Sequence, residues 1–410
     1  MYSLAIYIYM FCVNIVAIFN RKARLLMVGH SKTYNIMRRG IHEGDNIIWF
    51  HAASLGEFEQ GRPLIEKIRE NHPEYKILLT FFSPSGYEVR KDYKGADVIC
   101  YLPFDTKLNA RKFMRIAKPK MAFFIKYEFW QNYLTALHRR GIPAYSVASI
   151  FRPNQIFFRW YGHKYRNVLR TFAHLFVQNQ ESVDLLRTLE VTNTSIVGDT
   201  RMDRVLQIRE AAKALPLGEA FAKSSQSDSY ILVAGSSWQP DEDIIIDYFN
   251  NHPNQRLIIA PHVVNDSHLA EIEGKLQRRS VRYSQATAET AAQADCMIID
   301  CYGLLSSIYR YATVAYVGGG FGVGIHNVAE AAVYGVPVII GPNNQRFREA
   351  RDLIALGGCL EINGKEDFAA IMQRLESDSS FLAKASAASA DYIKSNAGAV
   401  DMIYNHVFKA

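Results

Sequence analysis

The chain has 410 residues, 49% of them hydrophobic, and a formal net charge of +7. That length and apolar content support two sizeable cores and exclude a disordered chain. The positive charge suits an anionic partner (nucleic acid, nucleotide phosphate or an anionic membrane surface) without choosing among them. Its five cysteines, Cys12, Cys100, Cys296, Cys301 and Cys359, are scattered, with no paired short spacing of a zinc site or a disulfide framework. This pattern suits a reducing cytoplasm.

Residues 1–19 form an apolar segment interrupted only by Ser3 and Asn14, followed at once by Arg21, Lys22 and Arg24. A cleavable signal carries its positive charge before the apolar stretch and small residues after it. Neither feature is present, so residues 1–24 are expected to be a membrane anchor, either spanning or deeply embedded. The basic residues after it, with no acid before Glu43, place the remainder on the cytoplasmic side.

From Asn46, strand-like apolar runs alternate with segments of helical spacing, the pattern of a doubly wound parallel sheet. Strands are expected at 46–52, 76–82, 97–101, 120–126, 143–149, 174–178 and 194–198. The first run ends at Ser54-Leu55-Gly56, and the next helix begins with Glu57. Ligands of open parallel sheets bind at the carboxyl ends of the strands, which makes Glu57 a candidate general base. Its simpler role is to complement the positive end of its helix. These two settings oppose each other, since a helix N-terminus lowers a carboxyl pKa and desolvation raises it.

The stretch 206–228 is rich in Ala, Ser and charge, contains Pro216 and Gly218, and reads as a linker. It divides a first domain, 25–205, from a second, 229–410. There the alternation restarts, with strands expected at 229–235, 256–260, 296–300, 313–317 and 337–340, and helices to the end. Two such lobes are expected to form one cleft.

The second lobe carries a glycine-dense loop, Gly318 to Gly324, followed by Ile325-His326-Asn327 and a helix containing Glu330. It fits neither the dinucleotide fingerprint nor a P-loop. Its close-approach glycines and the next helix N-terminus are expected to hold a phosphate through Gly320, Gly322, Gly324, His326 and Asn327, without a metal. Glu330 is placed to accept hydrogen bonds from ribose hydroxyls. The loop at Ser236 and Ser237 offers further hydroxyls and N–H groups. In the first lobe, Arg152, Phe157, Phe158, Arg159, Trp160, Tyr161, Lys164 and Arg166 suit a phosphorylated lipid headgroup with its acyl chains, or else an apolar core with a solvated cationic face.

Taken in order, several segments resemble the bacterial 3-deoxy-D-manno-octulosonic acid (Kdo) transferases over nearly the whole chain. They include His51-Ala52-Ala53-Ser54-Leu55-Gly56-Glu57, Ser83-Pro84-Ser85-Gly86, Tyr101-Leu102-Pro103-Phe104-Asp105 and Glu128-Phe129-Trp130-Gln131-Asn132. The similarity continues through Gly198-Asp199-Thr200-Arg201-Met202-Asp203, Ala260-Pro261, Tyr316-Val317-Gly318-Gly319, His326-Asn327-Val328-Ala329-Glu330 and Gly341-Pro342.

The resemblance implies a two-lobed GT-B glycosyltransferase fold. The first lobe would take a lipid A precursor of the lipid IVA type and the second CMP-Kdo, at the bacterial inner membrane, in lipopolysaccharide biosynthesis. It implies an inverting transfer with Glu57 as general base and Glu128 at a second acidic position. Ser54, Gly56, Lys126, Arg152 and Arg159 are expected at the acceptor; Ser236, Ser237 and His262 join the glycine loop at the donor. No cofactor, metal or nucleic acid is expected, CMP-Kdo being a substrate. The chain departs from the family pattern at Lys126, which replaces an acid, and at Ala148, Ile150, His262 and Leu304. Other readings are a GT-B enzyme using a UDP-sugar, or an inactive membrane-bound nucleotide-sugar-binding protein.

Overall fold

The structure is a computed structural model that describes residues 2–212, 214–223 and 230–409. Part of the expected linker, Lys213 and residues 224–228, and the side chain of Lys164 lie outside the described residues.

The chain forms two compact units, Met1–Arg204 with Ala397–Ala410, and Val205–Asn396. The first is built on seven parallel strands: β1 (Asn46–Ala52), β2 (Tyr75–Phe81), β3 (Val98–Tyr101), β4 (Met121–Ile125), β5 (Ala144–Ser149), β6 (His174–Val177) and β7 (Thr194–Ile196), in the order β3-β2-β1-β4-β5-β6-β7. The strands are short apolar runs because both faces are covered by helices. Alternation along β1 shows it directly. Ile47 and Trp49 enter the core on one face, Ile48, Phe50 and Ala52 the core on the other.

The second unit is a parallel sheet of β8 (Tyr230–Ser237), β9 (Gln255–Pro261), β10 (Ser280–Arg282), β11 (Cys296–Ile298), β12 (Val314–Val317), β13 (Val338–Ile340) and β14 (Cys359–Glu361), ordered β10-β11-β9-β8-β12-β13-β14. The two strands absent from the sequence reading, β10 and β14, are edge strands that each contain a charged residue, Arg282 and Glu361, and have no sustained apolar run to mark them. In each sheet the winding reverses once, between β1 and β4 and between β8 and β12. Such switch points open a crevice at the carboxyl ends of the strands.

Two helices precede the first sheet, α1 (Tyr2–Phe19) and α2 (Arg21–Gly40). Asn20 separates them and caps α2, accepting from the N–H groups of Lys22 and Ala23. With a mean hydropathy of 2.0, α1 is long and apolar enough to cross a membrane. After β1 comes α3 (Leu55–Asn71).

The unit boundaries differ from the expected domains in two places. The described part of 206–228 is largely helical, within Thr200–Ala211 and Pro216–Lys223, and Phe221 is fully buried. Alanine favours helix, and Pro216 opens its helix at the first position, where proline is tolerated. The C-terminal helix Ala399–Phe408 belongs to the first unit rather than the second. Gly398 turns the chain with a φ of 97°, and Val400, Ile403 and Tyr404 enter the core that Phe58, Leu64 and Ile68 of α3 also fill. The Asp203 carboxylate accepts from the N–H of Gly398 at 2.8 Å.

This placement predicts that Ile403→Ala destabilises the first unit by about 2–5 kcal/mol, the cost of an apolar cavity. Urea unfolding followed by tryptophan emission measures it. A midpoint unmoved by the substitution would mean that the terminal helix adds nothing to that core.

Candidate active site

The switch point of the first sheet gathers the acidic residues. At the end of β1, Ser54 stops the strand and caps α3: its N–H donates to Glu57 Oε2 at 3.1 Å, and the Ser54–Glu57 pair forms a capping box. Glu57 thus complements the start of α3, and it does so just past the carboxyl end of β1. Burial comes first in raising its carboxyl above the ordinary value, and the charge of Glu128 adds to it; His51 and the N–H groups of Ser54 and Ala53 pull the other way. Desolvation wins over the helix terminus. Gly56 is exposed, with open space where a side chain would stand.

Glu128 lies past the end of β4 and is buried. Its Oε2 is 3.0 Å from His51 Nε2 and accepts from Trp130 Nε1 at 2.5 Å. His51, fully buried on β1, places Nδ1 at 2.9 Å from Thr80 Oγ1 and 3.1 Å from the Thr80 carbonyl oxygen. Thr80 Oγ1 in turn accepts from Trp49 Nε1 at 2.8 Å. In either neutral tautomer of His51, a favourable Nε2–Oε2 contact requires a proton between the two atoms. An unprotonated pair would set two lone pairs against each other in a buried site. His51, Thr80 and Trp130 are thus parts of this site that the sequence reading did not assign; a histidine inside an apolar strand was the available signal.

Beside them runs a polar chain. Asp199 accepts from Arg201 Nε and Nη2 at 2.9 and 2.7 Å, and Gln60 turns its amide oxygen to Lys126 Nζ and Arg201 Nε, both at 3.1 Å. Lys126 holds a φ of 61° and Ala148 one of 55°, left-handed conformations that cost a residue with a side chain roughly 1–2 kcal/mol. Arg152 reaches Tyr127, its Nη1 3.4 Å from the phenolic oxygen, whereas Arg159 is exposed and bonds the Asn154 carbonyl. The structure brings Ser54, Glu57, Lys126 and Glu128 around one switch point and leaves Arg159 on the surface.

The second unit has its own switch point. Trp238 stacks on His262 with ring centroids 4.6 Å apart, His262 lies 4.5 Å from His326, and Trp238 Nε1 donates to His326 Nε2 at 3.3 Å. Burial and the neighbouring His262 hold the His326 pKa low. Asp241, unassigned from sequence, anchors the glycine loop by accepting from the N–H of Gly319 at 2.9 Å and from Tyr316 at 2.6 Å. A cavity of about 380 Å³ opens beside Trp238 and His268.

Four features bear on the contacts expected of this loop and its neighbours. A Cβ on Gly320 would meet the backbone of Gly341 at 2.5 Å, and one on Gly324 the Phe347 ring at 3.1 Å, so these glycines serve close packing of the loop on its neighbours. Gly322 keeps open space. The helix after the loop, Ala329–Ala332, is a single turn and supplies little of the dipole expected of it. Asn327 spends its side chain there, donating to Glu330 Oε1 at 3.1 Å and accepting from the N–H of Ala329. Ser237 is buried and donates its hydroxyl to Glu242 Oε1 at 3.0 Å, while Ser236 stands at a φ of 52°. Among the described residues no group of three or more His, Cys, Asp or Glu side chains is arranged to hold a metal ion.

Two doubly wound parallel sheets, each with its functional loops at the switch point, make this a GT-B-type α/β protein. The same fold appears in the UDP-GlcNAc 2-epimerase of Neisseria meningitidis, solved with UDP-GlcNAc (TM-score 0.62, 14% identity, 89% of this chain and 100% of that one). It also appears in a putative UDP-N-acetylglucosamine 2-epimerase of Listeria monocytogenes (TM-score 0.58, 11% identity, 90% and 98%). Residues 24–204 match the family described as 3-deoxy-D-manno-octulosonic-acid transferase (kdotransferase). Proteins named 3-deoxy-D-manno-octulosonic acid transferase are similar in Aquifex aeolicus (24% identity, 76% of this chain and 80% of the relative) and Haemophilus influenzae (26%, 78% and 76%). The chain is thus similar to that glycosyltransferase family, over residues 24–204 by its model and over about three quarters of the chain to these relatives.

The electrostatics of Glu57 are open to a direct check. Because the folded protein holds this proton more tightly than the unfolded chain, the carboxyl's contribution to stability falls as pH rises from the ordinary carboxylate value through the raised one. Its midpoint, followed by the carboxyl ¹³C shift, is expected above the ordinary value and lower in Glu128→Gln. An unchanged midpoint in that variant would remove the repulsion by Glu128 as a cause.

Proposed function

We propose that this protein transfers Kdo from CMP-Kdo to a lipid A precursor of the lipid IVA type, in lipopolysaccharide biosynthesis at the cytoplasmic face of the bacterial inner membrane. The observation that supports the mechanism is the position of the Glu57 carboxyl at the β1/β4 switch point, where burial and the charge of Glu128 raise it above its ordinary value. The relatives' shared name supports the donor sugar.

In this reading an acceptor hydroxyl gives its proton to Glu57 as its oxygen bonds to the anomeric carbon of Kdo. The bond from that carbon to the CMP phosphate oxygen breaks with its electron pair, and configuration inverts in one displacement. Glu128, paired with His51, keeps a negative neighbour beside Glu57 and holds its proton affinity up. Ser54, Gly56, Lys126 and Arg152 form the acceptor side, where Lys126 supplies a cation for an anionic group. On the donor side, Gly322 with the Trp238, His262 and His326 cluster supports the nucleotide, Ser236 the phosphate, and Glu330 the ribose hydroxyls. The transfer as written uses no metal or cofactor.

Purified protein supplied with CMP-Kdo and lipid IVA should yield a product heavier by one or more Kdo units in a mass spectrum. Product from a UDP-sugar instead, or none at all, would overturn the reading. Glu57→Gln should keep CMP affinity and lose ~10²–10⁴-fold in turnover. Turnover close to the parent's would take the base assignment away from Glu57.

Glu330→Ala tests the donor side separately. CMP affinity measured by calorimetry should fall about tenfold, the worth of one hydrogen bond to a charged group. Unchanged affinity would remove Glu330 from the ribose.

A further inference from the structure

The cavity of about 380 Å³ beside Trp238 is built from two places in the second unit. The end of β8 and the start of the helix Gln239–Asn251 bring Ser237 and Trp238. The turn after β9 and the helix Asp266–Lys275 bring Asn265, Ser267, His268 and Glu271. Fully buried behind both walls, Glu242 ties them together: its Oε1 accepts from Ser237 Oγ at 3.0 Å and stands 3.1 Å from His268 Nε2. The second wall is also fixed from within. Asn265 caps its helix, its Oδ1 accepting from the N–H of His268 at 2.9 Å and from Ser267 Oγ at 2.8 Å.

Charge decides what such a space can take. Glu271 lies on the wall, Glu242 behind it and Asp266 at the first position of the adjoining helix, so a phosphate or carboxylate entering here would meet like charge. A cation is a poor match as well. Lys275 already pairs with Glu271 at 2.7 Å and with Asp243 at 2.8 Å, and His268 stands between Glu242 and Glu271, its Nδ1 3.9 Å from Glu271 Oε2. What remains is a neutral polar ligand. Ser267, Asn265 and His268 each offer both a donor and an acceptor, and Glu271 accepts, which is the complement of paired hydroxyl groups. Trp238 adds an aromatic wall for the carbon face of such a ligand. The volume is at the small end for ligand sites and suits a sugar fragment rather than a whole nucleotide.

Trp238 belongs to two places at once. Its ring stacks on His262 and its Nε1 donates to His326, in the cluster read above as the nucleotide support. The cavity therefore begins where that support ends. We infer that it holds the polyol end of the transferred sugar, the neutral hydroxyl-bearing tail of the eight-carbon acid, while the acid's own carboxylate stays outside. This rests on the donor reading given above. Ser267, Asn265, His268 and Glu271 then select a donor by its hydroxylated tail, and Glu242 is a positioning residue that sets the distance between the walls. Ribose carries the same paired hydroxyls, so the two sources must be told apart.

Saturation-transfer NMR of CMP-Kdo on the full chain, without acceptor, reads tail, ribose and cytosine protons separately and needs no turnover. In the parent, the protons on the two terminal sugar carbons should be saturated alongside those of cytosine. Ser267→Phe, at an exposed position, should fill the space, abolish most of the tail signal and keep the cytosine signal. Glu271→Ala removes an acceptor without filling the space. With acceptor present it should raise the KM for CMP-Kdo about tenfold at unchanged kcat, the mark of a lost binding contact, and leave CMP affinity as it was. An unsaturated tail beside saturated cytosine in the parent, or a tail signal untouched by Ser267→Phe, overturns the inference and leaves the donor reading standing. Weaker CMP binding in Glu271→Ala, matching the rise in KM, assigns the cavity to the ribose and overturns it too. Absence of every CMP-Kdo signal in the parent overturns the donor reading and the inference with it.

Discussion

The contact of His51 Nε2 with Glu128 Oε2, 3.0 Å apart, is the interaction on which the first unit's site depends. Two carboxylates at one switch point repel each other, and an imidazole inside the strand gives one of them a partner. The arrangement keeps Glu128 paired while Glu57 remains desolvated with a raised proton affinity. A base must hold a proton strongly enough to take it from a hydroxyl, and neither a solvated carboxylate nor a fully paired one does so well. The fold supplies the rest by backbone geometry: β1 and β4 are neighbours, so His51 and Glu128, 77 residues apart in the chain, come within hydrogen-bond distance.

The second unit uses a different economy. Its glycine loop is shaped less by a ligand than by its own neighbours, since Gly318 and Gly320 allow backbone to pack on backbone against Ser236 and Gly341. Asp241 then clamps the loop from beneath. Beside it lies a cluster of Trp238, His262 and His326 with neighbouring rings 4.5–4.6 Å apart. His262, one of the departures from the family pattern, stacks on Trp238. The other departures have physical meaning too. Ala148 occupies a left-handed position for which asparagine, the usual family residue, is better suited than alanine. Part of that family preference is thus conformational.

Much of the architecture was legible in the chain because buried parallel strands must be short apolar runs, and twelve of them stood out between helical periods. The edge strands β10 and β14 did not, because each carries a charged residue, Arg282 and Glu361, and no sustained apolar run. The terminal helix was assigned to the second lobe because sequence order is the default guide to domains. Its apolar stripe, Val400, Ile403 and Tyr404, carries no label for the core it fills. The basic-aromatic segment proved to be both things at once: Phe157 belongs to the core and Trp160 to the surface, a split that local periodicity does not resolve.

By itself, the sequence determined the two-sheet plan, the carboxylate at the first strand's end, the glycine loop and the resemblance to the Kdo transferases, since each follows from local pattern or motif order. Only the tertiary structure decided that burial outweighs the helix terminus at Glu57, that His51 partners Glu128, and that Ser237 turns inward. Those outcomes depend on distances between residues far apart in the chain, and on which groups lose their water when the strands come together.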